Sequence, residues 1–169
     1  MATTEQLAAL KSAVPAAQAA QRKYGIPASV TLAQWIFESS WGTSKLALSA
    51  NNFFGIKARQ ASAPSSYCEF PTAEYENGER EMVDALFVKY PDQAASFEAH
   101  ARLLATGGRY RFAMPHTANP IDFAACLQTA GYSTNPDYAR MLAEAIHEYN
   151  LTQYDVPPDG DAKVQEVAA

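Results

Sequence analysis

The stretch Leu32–Gly42, LAQWIFESSWG, decides how the rest of the chain is read. It has the spacing of a helix that is apolar nearly all round, yet it holds Glu38 with Trp35 before it and Trp41 after it. A carboxylate moved into apolar surroundings is costly unless it is paired or put to use. At about 100° per residue, Thr31, Gln34, Trp35 and Trp41 fall on the side of Glu38. Leu32, Ala33 and Ile36 fall opposite, and Val30 and Phe37 flank. The pattern predicts a buried helix over 27–40 with one edge of Thr, Gln, Glu and indole along a groove. Such a groove suits sugars, whose C–H faces stack on aromatic planes and whose hydroxyls need polar partners. Apolar surroundings also raise a carboxyl's pKa, as a general acid near neutrality requires. From the helix alone, Glu38 fits that acid and fits a brace for a neighbouring loop equally well.

The chain has 169 residues and 48% hydrophobic content, enough for one domain with its own core. Its nine tyrosines suit a ligand groove as well as ordinary packing. A formal net charge of −5, with no dense Lys/Arg cluster, argues against a nucleic-acid partner. Cys68 and Cys126 match no metal spacing and are expected as reduced, partly buried thiols; a disulfide between them would require work outside the cytosol. His100, His116 and His147 are scattered and form no H-E-x-x-H pair, so neither a metal nor another cofactor is expected. His100, in an amphipathic helix, is expected to be packed or at the surface. No apolar run is long enough for membrane insertion. The first residues, MATTEQLAALKSAVPAAQAAQRKYG, lack the basic and apolar regions of a signal peptide. The expectation is synthesis in the cytoplasm and, for a target outside the membrane, delivery by another system.

Residues 3–24 are expected to be helical with Thr3 or Thr4 as cap, and Pro15 is expected to divide them into two helices. Tyr24–Pro27, YGIP, stops that stretch, and a short helix is predicted over 43–49. Residues 60–66 are expected to form a small polar loop. Asn77-Gly78, flanked by strand-like runs, signals a β-hairpin within about 67–90. Helical periodicity then returns. The segments NPIDFAACLQTAG and NPDYARMLAEAIHEYN each open with Asn-Pro, a cap followed by proline at the first helical position. The fold class is mainly α (α+β): one domain over 1–155 with an inserted hairpin lobe, and a flexible tail over 156–169.

A glycosidase usually needs a second carboxylate. With a two-residue turn, Glu76 faces Glu79 and Glu74 faces Glu81, all on one face of the hairpin. A solvated face accounts for them adequately; crowding would also raise one carboxyl's pKa. Residue spacing does not choose among the four.

The segment AQWIFESSWGTSKLALSANNFFGIKA resembles the signature of family 73 of the glycoside hydrolases, bacterial N-acetylglucosaminidases that cut peptidoglycan. That signature reads A-Q-x-x-x-E-S-x-W-G-x-S, then A-x-x-x-N-N-x-F-G-I-K. TAEYENGE and ALFVKYPDQAASFEAHARLL are similar to the family's hairpin and following helix, and LQTAGYSTNPDYARML to its A-G-Y segment. The resemblance spans about Tyr24 to Tyr154. It implies a lysozyme-like helical lobe with a small β-hairpin lobe over a cleft, and hydrolysis of the β-1,4 bond after N-acetylglucosamine. Muramidase or lytic transglycosylase action on the same scaffold, and a non-catalytic peptidoglycan-binding module, are the alternatives. It implies Glu38 as catalytic acid, Glu74 as second carboxylate and Tyr132 as a group positioning substrate or water. Gln34, Trp35, Trp41 and Tyr138 are the expected substrate-binding residues. Bacterial peptidoglycan is the implied partner, at the cell wall or in the periplasm. A phage lysis system, a flagellar-type route or a secretion machinery would deliver the chain. A secreted effector would also imply an inhibitor (immunity) protein in the producing cell. Ser40 departs from the family's usual glycine, Thr43 from a common lysine and Phe53 from leucine. Glu81 stands where an apolar or basic residue is more usual.

Overall fold

The computed structural model describes residues 2–58, 66–76 and 79–157. Most of the expected polar loop, the turn residues Asn77 and Gly78, and the tail from residue 158 lie outside the described residues.

Helix α1 (Thr4–Tyr24) opens on a capping box, in which Thr3 accepts from the Gln6 N–H and the Gln6 side chain accepts from the Thr3 N–H. It ends at Gly25, whose left-handed φ of 75° lets its N–H reach the Gln21 carbonyl. Pro15 does not divide it, contrary to the expectation. Proline removes the N–H that would reach the Lys11 carbonyl. Lys11 and Pro15 are exposed, so that carbonyl is left on the water side. On the other side, buried Leu10, Ala13, Ala17 and Ala20 pack against neighbouring helices and carry α1 through the break.

Helix α2 (Ala28–Glu38) is buried at every position from Ala28 to Ile36. A helix sunk in a core cannot leave its first N–H groups to water, and Pro27 offers no side-chain cap. Distant residues supply the acceptors. The Gln21 side chain accepts from the Ala28 N–H at 3.0 Å, and the Asp155 carboxylate accepts from the Ser29 N–H and hydroxyl, both at 2.8 Å. Gln21 also accepts from the Val156 N–H, so the anchored chain runs one residue past the expected boundary at 155.

The helix stops at Glu38, earlier than the expected 40. The Ser39 hydroxyl donates to the Trp35 carbonyl and accepts from the Gly42 N–H, while the Trp41 N–H reaches back to the Ile36 carbonyl. Ser40, Trp41 and Gly42 follow one another in the left-handed region, at φ 50°, 60° and 79°. A Cβ on Gly42 would lie 3.0 Å from the Trp35 ring.

Helix α3 (Lys45–Ala50) is capped by Ser44 and ends at left-handed Asn51. Buried Asn52 then pins two chain segments: its amide donates to the Ile56 and Val88 carbonyls, both at 2.9 Å, and its oxygen accepts from the Ile56 N–H. This is the base of the hairpin formed by β1 (Tyr67–Glu76) and β2 (Glu79–Val88). The strands are antiparallel with Glu74 opposite Glu81 and Glu76 opposite Glu79, the pairing that a two-residue turn predicts. Among the strand residues whose side chains are described, Phe87 is the one that is buried.

Helix α4 (Gln93–Thr106) is capped by Asp92, and α5 (Pro120–Thr129) by Asn119 with Pro120 at its first position. Helix α6 (Tyr138–Glu148) starts later than its Asn-Pro predicts. Asn135 instead caps a turn by accepting from the Asp137 N–H, and Gln128 of α5 accepts from the Ala139 N–H. The core lies around α2 and includes Ile26, Leu32, Trp35, Phe97, Leu104, Phe123, Leu127, Leu142 and Leu151. Cys68 and Cys126 are free, and no described helix is long and apolar enough to cross a membrane.

Candidate active site

Glu38, the last residue of α2, emerges from the core into an open cleft of about 520 Å³. Phe54, Gly55, Ile56 and Lys57 line it from the segment before the hairpin. Leu103 lines it from α4, Tyr110 from the turn after α4, Tyr132 and Ser133 from the end of α5, and Tyr138 from α6. The cleft is therefore walled by phenol and phenyl rings rather than indoles.

The local backbone explains how Tyr132 arrives there. At the end of α5, Gly131 takes φ 74°, its N–H reaches the Gln128 carbonyl and the Tyr132 N–H reaches the Leu127 carbonyl. This left-handed stop turns the chain back on the helix. The Tyr132 ring stacks on Tyr138, with centroids 5.5 Å apart, and lies 6.0 Å from the Tyr110 ring.

Two phenols converge on the Glu38 carboxyl. Tyr132 donates to Oε2 at 3.2 Å and Tyr138 donates to Oε1 at 3.5 Å. Burial pushes the Glu38 carboxyl up to about 8, an effect that the two phenol hydrogen bonds partly offset. Glu38 thus holds its proton at neutral pH while facing an open cleft, the condition for a general acid. Tyr132 and Tyr138 are held well above the ordinary phenol range, first by burial and then by the neighbouring carboxyl, so both stay protonated donors.

Behind these groups lie two buried polar side chains. Gln34 donates to the Tyr138 hydroxyl at 2.7 Å. His100 places Nε2 3.2 Å from the Tyr132 hydroxyl and stacks on Phe54 with centroids 4.0 Å apart.

Several expected groove residues are placed elsewhere. Gln34 is 0% exposed, so it braces Tyr138 rather than meeting a ligand. Trp35 is 2% exposed and packs in the core under Gly42. Trp41 is not on the helix; its ring packs edge-on against Trp35 and Tyr149, at 6.3 and 5.1 Å. The reason is the left-handed run after Ser39, which carries Trp41 away from the stripe that continued helix would have given it. The structure brings Glu38, Tyr132 and Tyr138 together. Glu74 is on a different element, at its register position on β1 opposite Glu81. Sequence reasoning did not single out Tyr110 or the Gly55–Lys57 wall, and it expected His100 to be packed or at the surface. The surplus of tyrosine was the available signal for Tyr110.

The chain as a whole is similar to known proteins over most of its length. The family model described as mannosyl-glycoprotein endo-beta-N-acetylglucosaminidase matches residues 14–151. The chain is 37% identical over 144 residues to the exo-glucosaminidase LytG of Bacillus subtilis (strain 168), covering 82% of this chain and 50% of that protein. It is 39% identical over 140 residues to an autolysin of Enterococcus faecalis, covering 79% of this chain and 19% of that protein. The chain therefore spans half or less of the length of these relatives. Among solved structures, the catalytic domain of the autolysin Auto from Listeria monocytogenes superposes with a TM-score of 0.81 at 34% identity, over 92% of this chain and 90% of that one.

Proposed function

The chain belongs to the glucosaminidase family, family 73 of the glycoside hydrolases, and from that premise we propose that it hydrolyses the β-1,4 bond after N-acetylglucosamine in bacterial peptidoglycan. One observation carries the reading: a carboxyl that keeps its proton to about pH 8 sits at the wall of an open, aromatic-lined cleft.

In the proposed reaction, the ring faces of Tyr110, Tyr132 and Tyr138 meet the apolar faces of the sugars. Glu38 gives its proton to the glycosidic oxygen as the C1–O bond breaks, and positive charge develops at C1 and the ring oxygen. The Tyr132 and Tyr138 hydroxyls stabilise the carboxylate that remains. Water adds to C1 and its proton passes to a base, the role we give to Glu74. Lys57 and Ser133 add polar contacts at the cleft wall. The substrate places the activity at the cell wall or in the periplasm. Delivery there by a secretion or phage system, and protection of a producing cell by an inhibitor protein, extend the same reading.

A second reading, lytic transglycosylase action, is favoured by one feature: among the described residues lining the cleft, Glu38 is the one carboxylate. Digestion of purified sacculi tests both. The intact protein is expected to release fragments with a reducing N-acetylglucosamine end, and Glu38→Gln to release almost none. Anhydro-sugar ends support the transglycosylase and reducing muramic acid ends a muramidase. Full turnover by Glu38→Gln overturns every acid-catalysed version.

A further inference from the structure

The titratable groups that face Tyr132 come from four elements: Glu38 on α2, His100 on α4, Tyr110 in the turn after α4, and Tyr138 on α6. His100 has no direct contact with the cleft. It is 0% exposed, its Nε2 lies 3.2 Å from the Tyr132 oxygen, and its Nδ1 is buried without a partner. Packing alone does not call for an imidazole here. A phenylalanine would stack on Phe54 equally well and leave no buried nitrogen unpaired.

The position of the imidazole proton follows from the network. Burial drives the His100 pKa down to about 3, so the ring is neutral and carries one N–H. On Nδ1, that N–H would be a buried donor with no acceptor, which proteins avoid more strictly than a bare acceptor. Tyr132 would then have to donate to His100 instead of to Glu38. On Nε2, the N–H donates to the Tyr132 oxygen and leaves the phenol proton directed at Glu38 Oε2. A parallel construction stands on the other carboxyl oxygen: the Gln34 amide donates to the Tyr138 oxygen, and the Tyr138 hydroxyl faces Oε1.

We propose that His100 is a positioning residue whose Nε2–H orients the Tyr132 hydroxyl, so that the phenol stabilises the carboxylate formed when Glu38 gives up its proton. Donors in series polarise one another, and the series ends on the group that becomes negative. It therefore strengthens as the proton leaves, which is where a catalytic interaction has to strengthen. The proton-transfer step rests on the function proposed above; the coupling between His100 and Glu38 is a property of the resting protein.

The test is a carboxyl titration by NMR on the intact protein with ¹³C-labelled glutamate side chains, Glu38→Gln identifying the resonance. His100→Phe keeps the stacked ring and removes the N–H; His100→Gln returns an amide N–H near the position of Nε2. His100→Phe is expected to raise the pH at which Glu38 ionises by about half a unit or more, and His100→Gln to reverse most of that rise. In a Tyr132→Phe background the His100→Phe change is expected to add nothing. Turnover by His100→Phe is expected to fall about tenfold with KM within about twofold, because the interaction strengthens only as the proton leaves. A merely structural His100 would lower Tm and leave the Glu38 titration in place; that result, or an equal shift with and without the Tyr132 hydroxyl, overturns the proposal. If His100→Phe does not fold, His100→Asn, whose amide is too short to reach Tyr132, is expected to give the same upward shift, and its absence overturns the proposal too. The titration needs no turnover. A protein that cleaves no glycan would end the functional reading without moving this result, so the two failures are distinguishable.

Discussion

Helix α2 and the β1–β2 hairpin carry Glu38 and Glu74 on supports of very different kinds. From Ala28 through Ile36, α2 is buried, its first N–H groups are held by Gln21 and Asp155, and its last turn is locked by Ser39. Among the hairpin residues whose side chains are described, Phe87 is the one that is buried. The hairpin joins the helical lobe at its base, where the Ala58 and Val88 N–H groups bond the Leu86 and Ile56 carbonyls and Asn52 bridges to Val88. A two-stranded hairpin is marginal on its own. Folding of the core therefore sets the place of the acid, while the place of Glu74 depends on what fastens the hairpin, a bound glycan included.

The largest effect should come from the acid itself. Glu38→Gln is expected to cut sacculus hydrolysis by about a thousandfold or more while leaving the fold intact, since it removes the proton donor and keeps the shape. Stability should move the other way. The Glu38 carboxyl ionises near 4.5 when free and near 8 when folded. Below 4.5 both states hold the proton; as pH rises toward 8 only the unfolded chain releases it, so folding loses stability across that window. Glu38→Gln removes the loss. Thermal melts should show it more stable than the parent by about 1–3 kcal/mol at pH 8, the gap closing toward pH 5. No gain at pH 8 would mean that the acid is not held in a dry place, and the contrast between lobes would fail.

Glu74→Gln should cost less, roughly 10- to 100-fold in turnover and varying with glycan length, because substrate helps to place the hairpin. Steady-state kinetics on short and long strands would show this. A loss equal to that of Glu38→Gln on every substrate would mean that the hairpin holds its carboxylate as firmly as α2 does.

Phe87→Ala probes the fastening directly. Truncating a buried phenylalanine in a core costs about 3–5 kcal/mol, and Phe97→Ala should approach that. Phe87→Ala should lower global stability by less, raise KM about fivefold, and speed hydrogen exchange in the hairpin well ahead of α2. Equal exchange acceleration in both lobes would show them to be one cooperative unit.

What was legible in the sequence was local. The Glu38 pattern, a threonine cap at residue 3 or 4, the Asn119-Pro120 helix start and the hairpin register each rest on residues a few positions apart. The rest depended on contacts that no short window contains. Asp155 caps α2 across 126 positions, and Tyr132 reaches Glu38 across 94. Trp41 was misplaced because the wheel was continued past Ser39, where the backbone turns left-handed. Pro15 was misjudged because the buried stripe of α1 outweighs one lost hydrogen bond. His100 was expected to be packed or at the surface and no more, because its partner, Tyr132, lies 32 positions away.

The smallest expected effect tests whether α2 alone places the acid. The ends of α2 and α5 share one left-handed stop: Trp41 N–H reaches Ile36 as Tyr132 N–H reaches Leu127. The residue at the turn is Gly131 in α5, at φ 74°, and Ser40 in α2, at φ 50°. A side chain with a Cβ pays about 1–2 kcal/mol for that conformation, and glycine avoids it at the cost of a more flexible unfolded chain. Ser40 is exposed, and neither its hydroxyl nor its Cβ lines the cleft. Ser40→Gly is therefore expected to raise stability by about 0.5–1 kcal/mol, read as a higher Tm, with turnover unchanged. Glu38 is held by the buried face of α2 and by hydrogen bonds from two phenols. A rise in Tm accompanied by lost turnover would mean that strain in this turn, rather than the packing of α2, sets the direction of the acid.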